Sequence, residues 1–142
     1  MPTTTQFLSP VLVLVTWTLF MWVWMYVTRI PSMNAAGIDP QEAVHPGSLD
    51  RLPSRVRAAA DNYNHLHEQP TIFYALMFFV ALTGGGDGTA LAIAWAYVAS
   101  RVLHSLVQAT INRVIVRFAL FVVGSMALVA MAARELVRVF GT

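Results

Sequence analysis

From Met1 to Thr28 the chain carries no charged side chain, and three further apolar stretches follow at Gln69–Gly86, Thr89–Thr110 and Phe118–Ala133. A bilayer's hydrocarbon core takes about 20 helical residues to cross. Four such stretches in 142 residues leave little chain for anything else. Composition agrees: 57% of the residues are hydrophobic and 11% charged, where a soluble domain carries roughly 25% charged. The mean hydropathy is +0.61. The sequence therefore predicts an all-α membrane protein, a four-transmembrane-helix bundle in one domain over residues 1–142. The spans are expected at about 7–28, 69–84, 89–110 and 117–134, with the lipid bilayer as the first partner.

The run Phe7–Val27 is too long for a secretory signal, and MPTTTQ lacks its basic start. Trp22, Trp24 and Tyr26 suit an interfacial belt that Arg29 closes. Residues 29–52, with Pro31, Gly37, Pro40, Pro46 and Gly47, read as a loop. A helix is expected to begin near Leu49–Pro53, capped by Asp50 or Ser54 with Pro53 in its first turn. It should run through RVRAAADNYNHLHE into the second span, with Pro70 as a tolerable kink. Gly84-Gly85-Gly86-Asp87-Gly88 marks a tight turn. It is no phosphate loop, because no Lys-Ser/Thr follows and no strand precedes it.

All nine basic residues are arginine. Six of them (29, 51, 55, 57, 113 and 117) fall in the first loop and third turn, against two at the C-terminus. Basic residues favour the cytoplasmic side, so both termini are expected outside and the 29–52 loop in the cytoplasm. Dispersed arginines and a net charge of +2 give no basic face for nucleic acid. Cysteine is absent, which excludes disulfides and thiolate chemistry of the chain's own. His65 and His67 are two apart and splay on a helix, and four histidines are too few for a membrane di-iron site, so no metal is expected.

A charge inside a span costs at least about 2.5–3.5 kcal/mol and usually faces protein or a wet cavity. Arg101 lies within the third span, some 18 Å along it at about 1.5 Å per residue. His104 and Gln108 follow at i+3 and i+7 and share its face. A second cluster, Arg57, Asp61, Asn62, Asn64 and Glu68, sits where the second helix enters the membrane, with Asp61, Asn64 and Glu68 on one face. Arg117 opens the fourth helix. These groups read as one polar pocket on three helices, open to the cytosol.

The segment RVLHSLVQATINRVIVRF resembles the MAPEG superfamily, membrane-associated proteins in eicosanoid and glutathione metabolism. One branch of that family has a similar Arg-Val-x-His on its third helix and an Arg thirteen residues beyond the His; Arg101, His104 and Arg117 match it without a gap. RAAADNYNHLHEQP loosely resembles the family's Arg-x-x-x-Asn-x-x-Glu signature on the second helix. The resemblance implies a homotrimer that holds glutathione as co-substrate between neighbouring subunits. It implies Arg117 as the catalytic group that stabilises the thiolate. It places Arg57, Asn62 or Asn64, Glu68, Arg101, His104 and Gln108 at the glutathione site, Glu68 taking either the ligand's ammonium or an arginine. The second substrate would be a hydrophobic small molecule arriving from lipid. The implied activity is that of a glutathione-dependent transferase or peroxidase. Gln108 stands where that branch has Tyr, and Phe118 and Phe121 where it has hydroxyls. These departures leave a non-catalytic lipid-binding or scaffolding member as the alternative.

Overall fold

Thr3 opens the first helix with a reciprocal cap: its hydroxyl accepts the Gln6 N–H at 3.2 Å, and Gln6 Oε1 accepts the Thr3 N–H at 2.9 Å. The computed structural model describes residues 1–45 and 47–141; Pro46, one of the prolines that mark the loop, lies outside them. In chain order come α1 (Thr4–Ala35), a 3₁₀ turn (Pro40–Glu42), α2 (Ser54–His65), α3 (Gln69–Leu82), α4 (Gly88–Ala109) and α5 (Val114–Phe140).

The first helix runs on to Ala35, so residues 29–35 are helix and not loop. Pro31 lies inside it without ending it. Gly37 is the stop. At φ +62° it turns the chain left-handed. Its N–H reaches the Asn34 carbonyl at 3.2 Å and the Ile38 N–H reaches Met33 at 3.0 Å, the pair of bonds of a Schellman end. Met33, Ile38, Leu52 and Val56 then form a small apolar cluster that anchors the remaining loop.

The second expected helix is two. It starts at Ser54 after Pro53, and neither Asp50 nor Ser54 caps it. It stops at His65, and the chain turns through Leu66–Glu68 before α3 begins. Pro70 lies in the first turn of α3, where its missing N–H costs nothing. It marks the start of a new helix and not a kink in an old one. With 14 residues α3 is only about 21 Å long, short of the ~30 Å hydrocarbon core. Helices α1, α4 and α5 are each long and apolar enough to cross. The four-span bundle thus stands as three full-length helices and a broken α2–α3 pair.

Packing follows stripes of 3–4 spacing. On α3 the buried residues are Pro70, Phe73, Met77 and Val80. On α4 the buried stripe is Ala90, Ala94, Tyr97, Arg101, His104 and Gln108, a heptad seam. It is apolar in its first half and polar in its second. Phe7, Leu14 and Met21 of α1, and Leu128 and Met131 of α5, complete the core. Outward faces stay apolar: Leu12, Leu19, Val122, Met126 and Val129 are all exposed. Such a surface suits lipid as the solvent. Met1 lines a cavity with Gly84 and Gly86, so the N-terminus and the α3–α4 turn share one end, the terminal end. Ser54 and Arg55 line another with Thr110 and Asn112, which places the start of α2 and the α4–α5 turn at the opposite, loop end.

Helices α4 and α5 approach closely at Gly124, where an added Cβ would sit 2.8 Å from Ser100 Oγ. The Ser100 hydroxyl donates to the Tyr97 carbonyl at 2.7 Å, so moving it aside would break that bond. Overpacking of this kind costs about 1–3 kcal/mol. Gly124→Leu should therefore lower the melting temperature in detergent clearly, and Gly124→Ala less so; an unchanged midpoint for Gly124→Leu would contradict the close crossing.

Candidate functional site

The polar half of the α4 stripe meets the other helices near the loop end. Arg101 is 1% exposed. One guanidinium nitrogen donates to Gln69 Oε1 at 3.2 Å and another makes a longer contact to the His65 carbonyl at 3.4 Å. The carbonyls ending a helix have no partner inside it, so the break after His65 is what supplies that acceptor. Phe121 of α5 lies under the guanidinium, 5.5 Å away at its ring centre. Gln69 also donates to Ser125 Oγ at 2.7 Å. A single node thereby ties the end of α2, the start of α3, α4 and α5. Among the described residues no carboxylate lies within ion-pair distance of Arg101.

His104 sits one turn further along. Its Nδ1 lies 3.0 Å from the Arg117 carbonyl, an acceptor only, so Nδ1 carries a proton. Its Nε2 faces the Gln108 side-chain amide at 3.2 Å. The His65 ring stands edge-on to His104 at 6.1 Å. Arg117, in the first turns of α5, donates from its guanidinium to Asn112 Oδ1. Asn112 adopts φ +47° in the α4–α5 turn. Gln108 is 1% exposed and lines a cavity of about 180 Å³ with Ser54, Arg55 and Asn112. The stripe Arg101–His104–Gln108 thus shares one face of α4 and meets α5 at the Arg117 backbone carbonyl, while the Arg117 guanidinium turns to Asn112.

The second-helix cluster does not join them. Arg57, Asp61 and Asn64 line a separate cleft of about 480 Å³ with Arg29, His45 and Asp50. Arg57 pairs loosely with Asp50 at 3.7 Å. Asn62 points the other way, fully buried, with neither amide atom hydrogen-bonded. Glu68 leaves the face of Asp61 and Asn64 because the helix breaks before it, and it pairs with His65 Nδ1 at 3.0 Å. The single pocket read from the sequence is two polar regions on opposite faces of α2. Gln69, Ser125, Asn112 and the His65 carbonyl belong to the site and were not singled out. A glutamine and a lone serine inside apolar runs were the available signals.

Gln69 bridges Arg101 and Ser125, and its loss would leave a buried charge short of an acceptor, a cost of about 1–3 kcal/mol. Gln69→Leu should destabilise the fold accordingly, whereas Ser125→Ala, which removes one neutral bond, should cost about 0.5–1.5 kcal/mol. Denaturant titration in detergent checks the order; equal or reversed costs would remove Gln69 from the node.

No curated protein and no solved structure matches the chain. A family model, MAPEG family, matches residues 7–137, nearly the whole chain, and takes in every residue of the polar stripe and the cleft. Membership supports a membrane role related to glutathione or eicosanoids at the level of the family. The chain belongs to the MAPEG family.

Proposed function

We propose that this protein is a glutathione-dependent transferase or peroxidase acting on hydrophobic or lipid electrophiles at the membrane. The observation that carries the reading is the buried Arg101–His104–Gln108 stripe joined to Arg117 through the His104 Nδ1 bond. Glutathione would lie with its sulfur toward Arg117. A free thiol titrates near pH 8.5, and a neighbouring guanidinium and the N-terminal end of α5 both favour its anion. Glu68 is exposed beside His65 at the edge of the stripe, and Arg57 and Asn64 are exposed on the cleft face of α2. They are placed to reach a ligand held by a neighbouring copy, which fits a homotrimer with the site between subunits. Asn64, being exposed, is the ligand-facing asparagine, while Asn62 is buried. Arginines at the site grip the peptide's carboxylates. The loop end, which carries most of the arginines, faces the cytoplasm.

In transfer, the thiolate attacks an electrophilic carbon and a C–S bond forms; in substitution the carbon's bond to the leaving group breaks and the group departs with its electron pair, and in addition to an activated alkene the C=C electrons move to the neighbouring carbon, which takes a proton. In peroxide reduction, the thiolate takes the terminal oxygen of a hydroperoxide and the O–O bond breaks to give an alcohol. A second glutathione then converts the sulfenic acid to the disulfide and water. Apolar substrate arrives through lipid along the exposed faces of the helices.

The second reading is a lipid-presenting scaffold. Phe118 and Phe121 favour it, because neither offers a hydroxyl to the thiolate and Phe121 instead lies under Arg101.

Purified protein should show glutathione-dependent turnover of a generic electrophile and an ultraviolet thiolate band whose midpoint lies below pH 8.5. Arg117→Ala should cut turnover by about 10²–10³-fold, the usual effect of losing one charge-stabilising donor, and move the thiolate midpoint back up. Absence of both turnover and thiolate band in the wild type would favour the scaffold.

A further inference from the structure

The terminal end holds four charges that the polar site does not use. Asp87 closes the glycine turn and caps α4, accepting the Ala90 N–H at 2.8 Å. Arg134 of α5 grips both of its carboxylate oxygens, at 2.8 and 2.5 Å. One residue on, Glu135 is 3% exposed and accepts from Arg138 Nε at 2.8 Å. Arg138 also donates to the Thr83 carbonyl at 3.2 Å and to its hydroxyl at 2.5 Å. Two carboxylates and two guanidiniums thus clamp both ends of the Thr83–Asp87 turn onto α5.

The turn is built to be covered this way. Gly84 takes φ +73°, a conformation that side chains rarely adopt. A Cβ on Gly85 would come within 2.8 Å of both Arg138 Nε and Glu135 Oε2. A Cβ on Gly86 would meet the Phe7 ring at 3.1 Å. Directly beneath lie Phe7, Val80 and Ala90, all buried. The turn itself contributes almost no apolar packing. A backbone bond from the Gly85 N–H to the Val80 carbonyl at 2.9 Å ties it to α3, and its hold on α5 is the Asp87–Arg134 ion pair with the Arg138 bonds to Thr83; the arginines and Asp87 remain about a third exposed, within reach of salt.

We propose that the Thr83–Asp87 turn is a flap over the terminal end of the bundle, latched by Arg134 and Arg138, and that ionic strength sets how often it opens. Ion pairs that stay part exposed hold only weakly, and they weaken further as salt rises. Mild acid does not release the flap. Arg134 holds the Asp87 carboxyl down to about pH 2. The stabilisation from a lowered carboxyl pKa is present above its ordinary value and lost only as pH falls through the lowered one. The other charged groups at the flap are Glu135, Arg134 and Arg138.

The chain has no cysteine, so Ala90→Cys introduces a single thiol under the flap. In lipid nanodiscs, where both faces are accessible, its reaction with a charged maleimide should be slow at low salt and about tenfold faster at 1 M. Adding Asp87→Asn, which keeps a capping side chain but removes the charge, should give the fast rate at low salt and abolish the salt effect. Arg134→Gln with Arg138→Gln should do the same. The wild-type chain gives a reading free of any mutation. The Leu91 amide, bonded to the Asp87 carbonyl at 3.0 Å, should exchange its hydrogen faster in high salt, and Leu106 at the other end of α4 should not. Labelling and exchange that ignore salt, at whatever absolute rate, would overturn the latch. The outcome is independent of whether glutathione binds.

Discussion

A guanidinium buried in the membrane half of a helical bundle constrains nearly everything around it. Arg101 costs at least about 2.5–3.5 kcal/mol to insert, and the fold answers with two acceptors and an aromatic ring drawn from three other elements. The break between α2 and α3 frees the His65 carbonyl. The first residue of α3, Gln69, supplies the second acceptor and passes a hydrogen bond on to Ser125. Phe121 lays its ring beneath. In an unbroken α2–α3 helix the His65 carbonyl would be taken by the Gln69 N–H and lost to Arg101. The interruption in the second helix and the charge in the third are two sides of one arrangement.

That arrangement divides the molecule. Toward the terminal end the α4 seam is Ala90, Ala94 and Tyr97 against Phe7, Phe73 and Met131, dry and closely packed. Toward the loop end the same seam is Arg101, His104 and Gln108, with small polar cavities beside it. Chemistry that needs an anion near a cation and a substrate from lipid is served by such a boundary: the charge is held in place by the bundle, while apolar surface begins within a helical turn. The exposed Arg57, Asp61 and Asn64 line a second polar region, a cleft on another face of α2.

Much of this was legible in the sequence, for a definable reason. The Arg101–His104–Gln108 stripe was readable because α4 is one uninterrupted helix, so spacing alone fixes the face. The second-helix cluster was misjudged because the same rule was applied across a break. Pro70 was the signal; it was read as a kink, although a proline is at home in the first turn of a new helix. Likewise the first helix is expected to close at Arg29, with Pro31 in the loop beyond it, whereas Gly37 and its left-handed backbone end it. The Asp87–Arg134 and Arg138–Thr83 contacts join residues 47 and 55 positions apart, and no local pattern encodes such pairings. The arginines at the C-terminus, counted for orientation, turn out to be bound to acids and to the turn.

Glutathione binding at the polar end of this bundle is the proposal on which the chemistry above rests. The direct measurement is the thermal unfolding of the detergent-solubilised protein with and without glutathione. A ligand at about 100 times its dissociation constant stabilises by ~2.7 kcal/mol, a shift of several degrees for a chain of this size. The account predicts that shift for the wild-type protein and its loss in His104→Ala. An unmoved transition at saturating glutathione, in a preparation that carries bound lipid instead, would contradict it.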